Sequence, residues 1–572
     1  MKKAWIFAVS TMLQPALAAT IPLAIAATLV GCADENDPKT WVKRLDDPAQ
    51  RAPAIKRLNQ FYEDTLNKNK EQGNEAPEVK TLLDVLVEPL ASVYTTATLD
   101  EKTRRETIKF LADTRDKRAF PAFTKAFNEF EAGKNDDDVK FSAQAVGSIA
   151  KKEAISDQAL VDALWSCFSK FQPSKSKSSE LVKALHDAIL AVKSPSWGPK
   201  AVEKLGAPVK DPKDPTEARD QLQFWQLTSI RLIGELKYAA AAKPLVKILL
   251  TPTKADLRGA VNNALMKMPV EAETVLISAL DGSDPELAAM GKDFGENAMH
   301  LAIVADTLTF TSRPKARDAV IDALAKATNN QQRTVMAQAL YRFPSDAKVK
   351  EAFVAAYNKI PENTAVELLG GVDAHAALAQ TSSLFYDSGM TKWLLKEIDQ
   401  AKGEAADAMH LYALEAAIKL MGPDDVEAVG AAVKKYAPAP SREEQMYNNS
   451  KASLDKCQKD ATCYVGLLDT PIPSSPDTAK YGAVKACWMA AIYGNDATRA
   501  ALVEKVPQIR DGAVRLTLVE AIDALAPKGD EAAATKLEGI AAADVASGNK
   551  ELIAADDALY KVANKLRARA LP

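Results

Sequence analysis

One stretch of the chain, residues 227–280, limits the possible folds most because it contains four short amphipathic helices in succession. The apolar residues of the third helix recur at the spacing of one helix face, and they are Leu257, Val261, Ala264, Leu265 and Met268. A similar stripe follows a break at Pro269. Residues 232–234 and 264–266 occupy equivalent positions in two successive helix pairs. They are about one repeat apart, at the period of helical solenoids.

This stretch resembles the HEAT-repeat family, in which a helix, a short turn and a second helix form each unit. The family pattern corresponds here to residues 232–234, to the segment from Pro244 to Leu249, and to the segment from Asp256 to Ala260. The resemblance implies an all-α fold, a right-handed α-solenoid of HEAT-like helix pairs that form an armadillo-like superhelix. It also implies that the chain binds other proteins along its surface.

Composition agrees with a stack of short helices. Apolar residues make up 47% of the 572 residues and aromatic residues only 6%, which suits thin two-layer packing better than one large core. The chain carries 73 basic and 76 acidic residues, for a formal charge of −3. Binding to nucleic acid needs a concentrated basic face, so we expect no nucleic-acid partner.

The solenoid is predicted to fill residues 41–572, with two interruptions. Proline-rich stretches lie near residues 171–216 and 437–480, and proline at that density ends helices. We interpret both ranges as irregular insertions between blocks of the solenoid. True domain boundaries at these places are the alternative.

The N-terminus is typical of a secreted precursor. Lys2 and Lys3 precede an uncharged and mostly apolar run, which ends in Leu29, Val30, Gly31 and Cys32. These four residues resemble the lipobox of bacterial lipoproteins. The resemblance implies that residues 1–31 are a signal peptide, that Cys32 is lipidated, and that residues 32–40 form a short tether.

An uncleaved transmembrane anchor is the alternative interpretation of this run, since its length could approach the roughly 20 residues needed to span a membrane. Pro15 and Pro22 interrupt it, however. Ala33 follows Cys32. In the enterobacterial sorting rule this residue favours the outer membrane, so we expect a lipid-anchored envelope protein on its periplasmic or surface face.

Two cysteines near the C-terminal block are predicted to form a disulfide. Cys457 and Cys463 are six positions apart, too far for a bridge on one continuous helix, where they would be about 9 Å apart. Asp460 interrupts that helix and caps a new one at Ala461, so the cysteines can meet across the turn. A zinc site that adds Cys487 is the alternative.

The expected function is a non-enzymatic, membrane-anchored scaffold that binds an envelope protein or peptide. The sequence has no nucleophile motif and no phosphate-binding motif, so we expect no catalytic residue, no cofactor and no metal. Two alternatives remain. The first is a lyase related to the bilin lyases, which resemble HEAT-repeat proteins, and the second is a purely structural envelope component.

Overall fold

The computed structural model describes residues 34–176, 178–295, 299–403, 406–472, 477–548 and 552–571. In these ranges the secondary structure is almost entirely helical. The exception is a short hairpin in which β1 (Ala365–Val366) pairs antiparallel with β2 (Val372–Asp373). The predicted all-α solenoid is therefore confirmed. The chain forms two compact units, a division that the sequence did not predict: the first ends at Thr114 and the second begins at Arg115.

The first unit is a small helical array with an apolar core. Leu58 of its second helix, Leu86 of its third and Leu111 of its fourth are fully buried. Pro77 begins the third helix, where its missing N–H costs no hydrogen bond. The helices are α1 (Pro38–Lys43), α2 (Arg51–Lys68), α3 (Pro77–Thr96) and α4 (Glu101–Thr114).

The first part of the second unit, up to residue 326, is a series of helices. A π-helix, Ala218–Gln226, leads directly into one of them. These helices are α5 (Phe120–Asn128), α6 (Asp136–Ala150), α7 (Gln158–Lys170), α8 (Ser179–Val192), α9 (Trp197–Leu205), α10 (Pro215–Glu217), α11 (Leu227–Leu236), α12 (Ala242–Leu249), α13 (Arg258–Met266), α14 (Pro269–Leu280), α15 (Pro285–Gly291), α16 (Met299–Thr309) and α17 (Pro314–Lys326).

The rest of the second unit continues the same alternation of helices and short turns. Its helices are α18 (Asn330–Ala339), α19 (Ala347–Lys359), α20 (Ala374–Ser382), α21 (Met390–Gln400), α22 (Ala406–Leu420), α23 (Val426–Tyr436), α24 (Arg442–Cys457), α25 (Ala461–Leu467), α26 (Tyr481–Tyr493), α27 (Asp496–Lys505), α28 (Gly512–Ala524), α29 (Glu531–Ser547) and α30 (Ile553–Ala570). Short 3₁₀ segments lie between helices of both units, at residues 44–46 and 73–75 in the first unit and at residues 117–119, 173–175, 239–241, 252–257, 292–294, 340–342, 367–369, 383–385, 423–425, 477–480 and 506–508 in the second.

Helices of the second unit pack mainly on the helix two places along the chain. Thus α5 packs on α7 and α6 on α8, and near the C-terminus α26 packs on α28 and α27 on α29. This alternation produces two layers of helices, and each helix pair is stabilised chiefly by its neighbours.

The four helices predicted for residues 227–280 are α11 to α14. All five stripe residues of the third helix are at most 3% exposed, so the predicted apolar face is the buried face. Gly234 explains how closely α11 approaches α13. A Cβ atom at this position would lie 3.0 Å from the Cα atom of Ala264, so any larger residue would push the two helices apart.

The ranges predicted as irregular insertions contain ordinary helices between their proline-rich stretches. The range 171–216 includes α8 and α9, and α8 makes extensive contact with α6. The range 437–480 includes α24 and α25, which continue the stack toward α26. Proline therefore marks the loops around these helix pairs. Among the described residues, no helix is both long enough and apolar enough to cross a membrane.

Candidate functional site

The predicted lipidation site lies outside the described residues. This applies to Leu29, Val30, Gly31 and Cys32, and to the whole segment predicted as a signal peptide. The first described helix begins at Pro38, three residues before the position near Trp41 that the sequence suggested.

The structure joins Cys457 to Cys463 by a disulfide, with their Cα atoms 5.4 Å apart. Cys457 ends α24, and Asp460 accepts hydrogen bonds from the backbone N–H groups of Thr462 (2.8 Å) and Cys463 (3.3 Å). Helix α25 thus begins at Ala461, where the sequence placed it. The turn brings the two sulfur atoms together, as continuous helix could not.

The remaining described cysteines, Cys167 and Cys487, are buried free thiols. Burial raises the pKa of each thiol to about 12, so both stay protonated at neutral pH. Because Cys457 and Cys463 are joined in a disulfide, neither offers a free thiolate to the zinc site that was the alternative. Among the described residues, no group of three histidine, cysteine or acidic side chains is arranged to hold a metal ion.

A second feature, which the sequence did not predict, is formed where α30 packs back onto the middle of the second unit. The helix contacts α13, and Arg313 donates a hydrogen bond of 3.1 Å to the carbonyl oxygen of Ala568. These two residues are 255 positions apart. We refer to α30 together with residues 312, 313 and 342 as the closure.

Arg569 connects α30 to residues 312 and 342 of the closure and to the C-terminal end of α28. Its guanidinium donates to the Ser312 hydroxyl (2.8 Å), to the carbonyl oxygens of Asp523 and Ala526 (both 3.1 Å) and to the carbonyl oxygen of Arg342 (3.2 Å). The side chain is only 4% exposed and lies 2.9 Å from the Asp523 carboxylate. A buried guanidinium with this many acceptors is held in one position.

The closure borders a pocket of about 330 Å³, which we call the closure pocket. Its walls combine aromatic rings with charged side chains. The lining residues include Phe310, Tyr341, Arg342, Ser345, Lys350, Leu384, Tyr386, Asp387, Glu520, Asp523, Lys561, Lys565 and Arg569.

Helix C-termini converge on this pocket. Phe310 directly follows α16, Tyr341 follows α18, Leu384 follows α20, and Asp523 lies in the last turn of α28. A helix C-terminus carries a partial negative charge from its unpaired carbonyl groups, and this charge favours cations nearby. The arrangement accounts for the abundance of lysine and arginine in the pocket walls.

Glu520 differs from the other charged residues of the pocket. Within the described chain it makes no hydrogen bond and no ion pair. Burial raises its pKa to about 7, although Lys565 and Lys419 act in the opposite direction. The hydroxyl of Tyr386 is also buried in the pocket wall without a hydrogen-bond partner. Burial, with a contribution from Glu520, raises the pKa of Tyr386 well above its usual value.

Chemically, the pocket can bind a group that donates hydrogen bonds to Glu520 and Tyr386, and its aromatic walls can contact the apolar part of a ligand. The charged residues of the pocket wall were not predicted from the sequence, because charged side chains on helices are usually exposed. A signal was present, however. Lys565 lies within the stripe Leu559, Val562, Ala563 and Leu566, all of which are at most 5% exposed. A lysine within such a stripe indicates a buried ionic contact.

Comparisons with known proteins add little to this description. No family model and no curated protein matches the chain. Among solved structures, similar chains include Kap121p bound to Ste12p, with 11% identity over 93% of this chain and 74% of that chain and a TM-score of 0.35. Importin beta has 10% identity over 94% and 74%, with a TM-score of 0.28.

A third similar chain comes from a study of cadherin and beta-catenin, with 13% identity over 93% of this chain and 99% of that chain and a TM-score of 0.31. These likenesses are too weak to support an argument. The fold assignment therefore rests on the helix pairs of this chain, and any function must be argued from the pocket and the sequence.

Proposed function

We propose that this protein is a lipid-anchored scaffold of the bacterial cell envelope and that it binds another envelope protein at the closure pocket. The observation that carries the proposal is the pocket itself, in which aromatic and charged side chains from five parts of a rigid helical array converge. Solenoids generally bind through surfaces built by successive repeats, and buried aromatic and charged anchors dominate such interfaces. The lipid anchor is supported by residues 29–32, which resemble a lipobox and follow an apolar run.

Site-specific photocrosslinking in intact cells tests the binding site. A photoreactive amino acid at Ser345, an exposed residue of the pocket wall, should capture one discrete partner protein. The same amino acid at Lys434, an exposed residue of α23 outside the pocket, is the matched control. Identical products at both positions, or none at Ser345, would contradict the proposal.

The anchor has its own test. Cells that express the protein should incorporate radiolabelled palmitate into it, and the variant Cys32→Ser should lose the label and accumulate as a larger precursor. Unlabelled wild-type protein that keeps Met1 would show that the N-terminal run is not a lipoprotein signal.

One observation favours a second candidate, an enzyme. A half-buried glutamate with a pKa of about 7, in the same pocket wall as a tyrosine hydroxyl, has the properties of a general acid or base at neutral pH. The intact mass of the captured partner separates the two candidates. A scaffold leaves the partner's mass unchanged, whereas an enzyme yields a cleaved or modified partner. In cells that carry Glu520→Gln, the partner of such an enzyme should keep its original mass.

A further inference from the structure

We propose that the closure pocket binds an ammonium group, carried either by a lysine side chain of the protein partner or by a free primary amine, and that Glu520 pairs with it. This inference rests on the proposed function, because it names the chemistry by which the same pocket recognises its partner. The inference rests on the one carboxyl group of the described pocket wall that has no close partner, on the helix ends that surround the pocket and on its aromatic walls.

The cations of the pocket wall already have partners. Five cationic side chains lie within 4 Å of four carboxylates, in the pairs Arg342–Asp306, Lys350–Asp387, Lys561–Asp557, Lys565–Asp523 and Arg569–Asp523, because Asp523 pairs with two of them. An anionic ligand would therefore have to compete with carboxylates that are held in place by the protein. The paired cations also limit the repulsion that a cationic ligand would meet.

Glu520 is the carboxyl group of this wall that lacks such a partner in the described chain. Burying an ionised carboxylate without a counter-ion is costly, and the raised pKa of Glu520 reflects that cost. A cationic ligand would supply the missing counter-ion. The unpartnered Tyr386 hydroxyl offers a second acceptor, since an ammonium group has three N–H donors.

The rest of the wall also suits a cation. The C-terminal ends of α16, α18, α20 and α28 direct partial negative charge toward the pocket. The aromatic rings already hold one cation, because the guanidinium of Arg342 lies 4.2 Å from the ring centroid of Phe310 and 5.4 Å from that of Tyr341.

Several titratable groups line the pocket with Glu520 or act electrostatically on Glu520 or Tyr386. They are Asp523 on the same helix, Lys561, Lys565 and Arg569 on α30, Tyr341 and Arg342 after α18, Lys350 on α19, Tyr386 and Asp387 after α20, Lys419 on α22, and Cys487 on α26. Burial lowers the pKa of Lys565, so this lysine is the group whose titration must be distinguished from that of Glu520.

The test is calorimetric titration of the processed full-length protein in detergent. The probes are n-butylamine, which represents a free amine, and Nα-acetyl-lysine N-methylamide, which represents a lysine of a partner protein. Their uncharged counterparts are n-butanol and Nα-acetyl-norleucine N-methylamide, and butyrate is the anionic control. At about pH 8, at least one ammonium probe should bind about tenfold or more tightly than its uncharged counterpart, a difference of about 1.4 kcal/mol.

The pH dependence identifies the residue. An ammonium group stays charged up to about pH 10, whereas Glu520 loses its proton near pH 7. The affinity should therefore fall about tenfold between pH 8 and pH 6, because the ionised fraction of Glu520 falls by that factor. Glu520→Gln should weaken binding about tenfold at pH 8 and should remove the pH dependence.

Two further variants control for structural damage. Tyr386→Phe should weaken binding less than Glu520→Gln does, since it removes one uncharged acceptor. Glu531→Gln changes an exposed carboxylate that pairs with Arg567 outside the pocket, and it should leave affinity unchanged. Circular dichroism confirms that each variant retains its helical content.

Equal binding of charged and uncharged probes, tighter binding of butyrate, or an unchanged pH dependence in Glu520→Gln would overturn the inference. If only n-butylamine binds, the ligand is a free amine, whereas binding of the lysine derivative indicates a protein partner. Failure of every amine while the Ser345 crosslink persists would refute the ammonium chemistry and leave the proposed scaffold function in place.

Discussion

The helices α11 to α14 and the closure both bury apolar side chains, but the closure adds long-range polar contacts. In the first region, Leu232, Leu245 and Val261 are fully buried, and neighbouring helices contact one another through apolar side chains. In the closure, Arg313 and Arg569 donate hydrogen bonds to carbonyl oxygens that are more than 200 positions away in the sequence.

The difference shows how a helical array can build a specific site. Apolar burial is non-directional, so it stacks neighbouring helices without fixing a polar geometry. Charge-assisted hydrogen bonds are directional, and they hold the walls of the closure pocket at defined distances. The two regions should therefore respond differently to substitution, to pH and to reduction.

The largest effect is expected from Arg569→Met, which removes the central donor of the closure. The variant leaves carbonyl groups of Asp523, Ala526 and Arg342 without this donor and weakens the charge balance around the Asp523 carboxylate. Removing one partner of a buried ion pair costs roughly 3–5 kcal/mol.

Native-state hydrogen exchange should show this loss in α30 and near residue 312, while α11 and α12 keep their protection. Arg510→Met is the matched control, since Arg510 is 67% exposed and its pair with Asp544 should contribute at most about 1 kcal/mol. An equal effect of the two substitutions would mean that the closure contributes no more than a surface ion pair.

The apolar region is tested by Leu245→Ala. Leu245 is fully buried in α12, and its truncation should leave a cavity that costs about 3 kcal/mol. In contrast to Arg569→Met, the loss should appear in α12 and its neighbours α9, α13 and α14. Loss of protection in the closure without loss in α12 would contradict the nearest-neighbour account of stability.

Glu520→Gln should stabilise the closure at about pH 8, by about 2 kcal/mol. The folded-state pKa of Glu520, about 7, lies above its usual value, so the folded state binds more protons than the unfolded state between these values. The contribution of Glu520 to the free energy of unfolding is therefore most favourable below its usual pKa and is lost as the pH rises toward 7. The shift from 4.5 to about 7 corresponds to about 3.5 kcal/mol at about 1.4 kcal/mol per pKa unit, and solvent screening of the half-buried side chain reduces this to about 2 kcal/mol.

The stabilisation by Glu520→Gln should nearly vanish at about pH 4.5, where the carboxyl group is largely protonated in the folded state. Thermal unfolding of the wild type and the variant at both pH values measures it. A variant that is less stable than the wild type at pH 8 would show that Glu520 has a stabilising partner.

The smallest effect is expected from breaking the Cys457–Cys463 disulfide. Seven residues form this loop, and the chain-entropy estimate for a loop of that size is about 2 kcal/mol. The double variant Cys457→Ser, Cys463→Ser should increase hydrogen exchange in α25 and leave α11 to α14 unchanged. Peptide mapping without reductant is the direct check, and free thiols in protein taken from the envelope would contradict the bond.

Local patterns in the sequence were enough to predict the apolar part of the fold. The stripe from Leu257 to Met268 determined the buried face of α13, and Asp460 determined the start of α25. In both cases the information lies within a few residues, where helix periodicity and capping act.

The closure could not be predicted in this way because its contacts join distant segments. The same holds for buried cations outside the closure, because helical lysine and arginine are usually exposed. Arg515 is fully buried, and the buried Lys485 donates hydrogen bonds to carbonyl oxygens at the end of α22. Only the tertiary arrangement supplies their acceptors. The pocket likewise depends on Arg342 and Arg569, whose proximity no local pattern indicates.

The central claim is that the closure forms in the protein and builds the pocket. Hydrogen exchange of the processed wild-type protein tests it most directly, because the peptide covering residues 558–570 can be compared with the peptide covering α12. We expect similar slow exchange in both peptides of the wild type, and in Arg569→Met we expect faster exchange in residues 558–570 but not in α12. Rapid exchange of residues 558–570 in the wild type would contradict the claim.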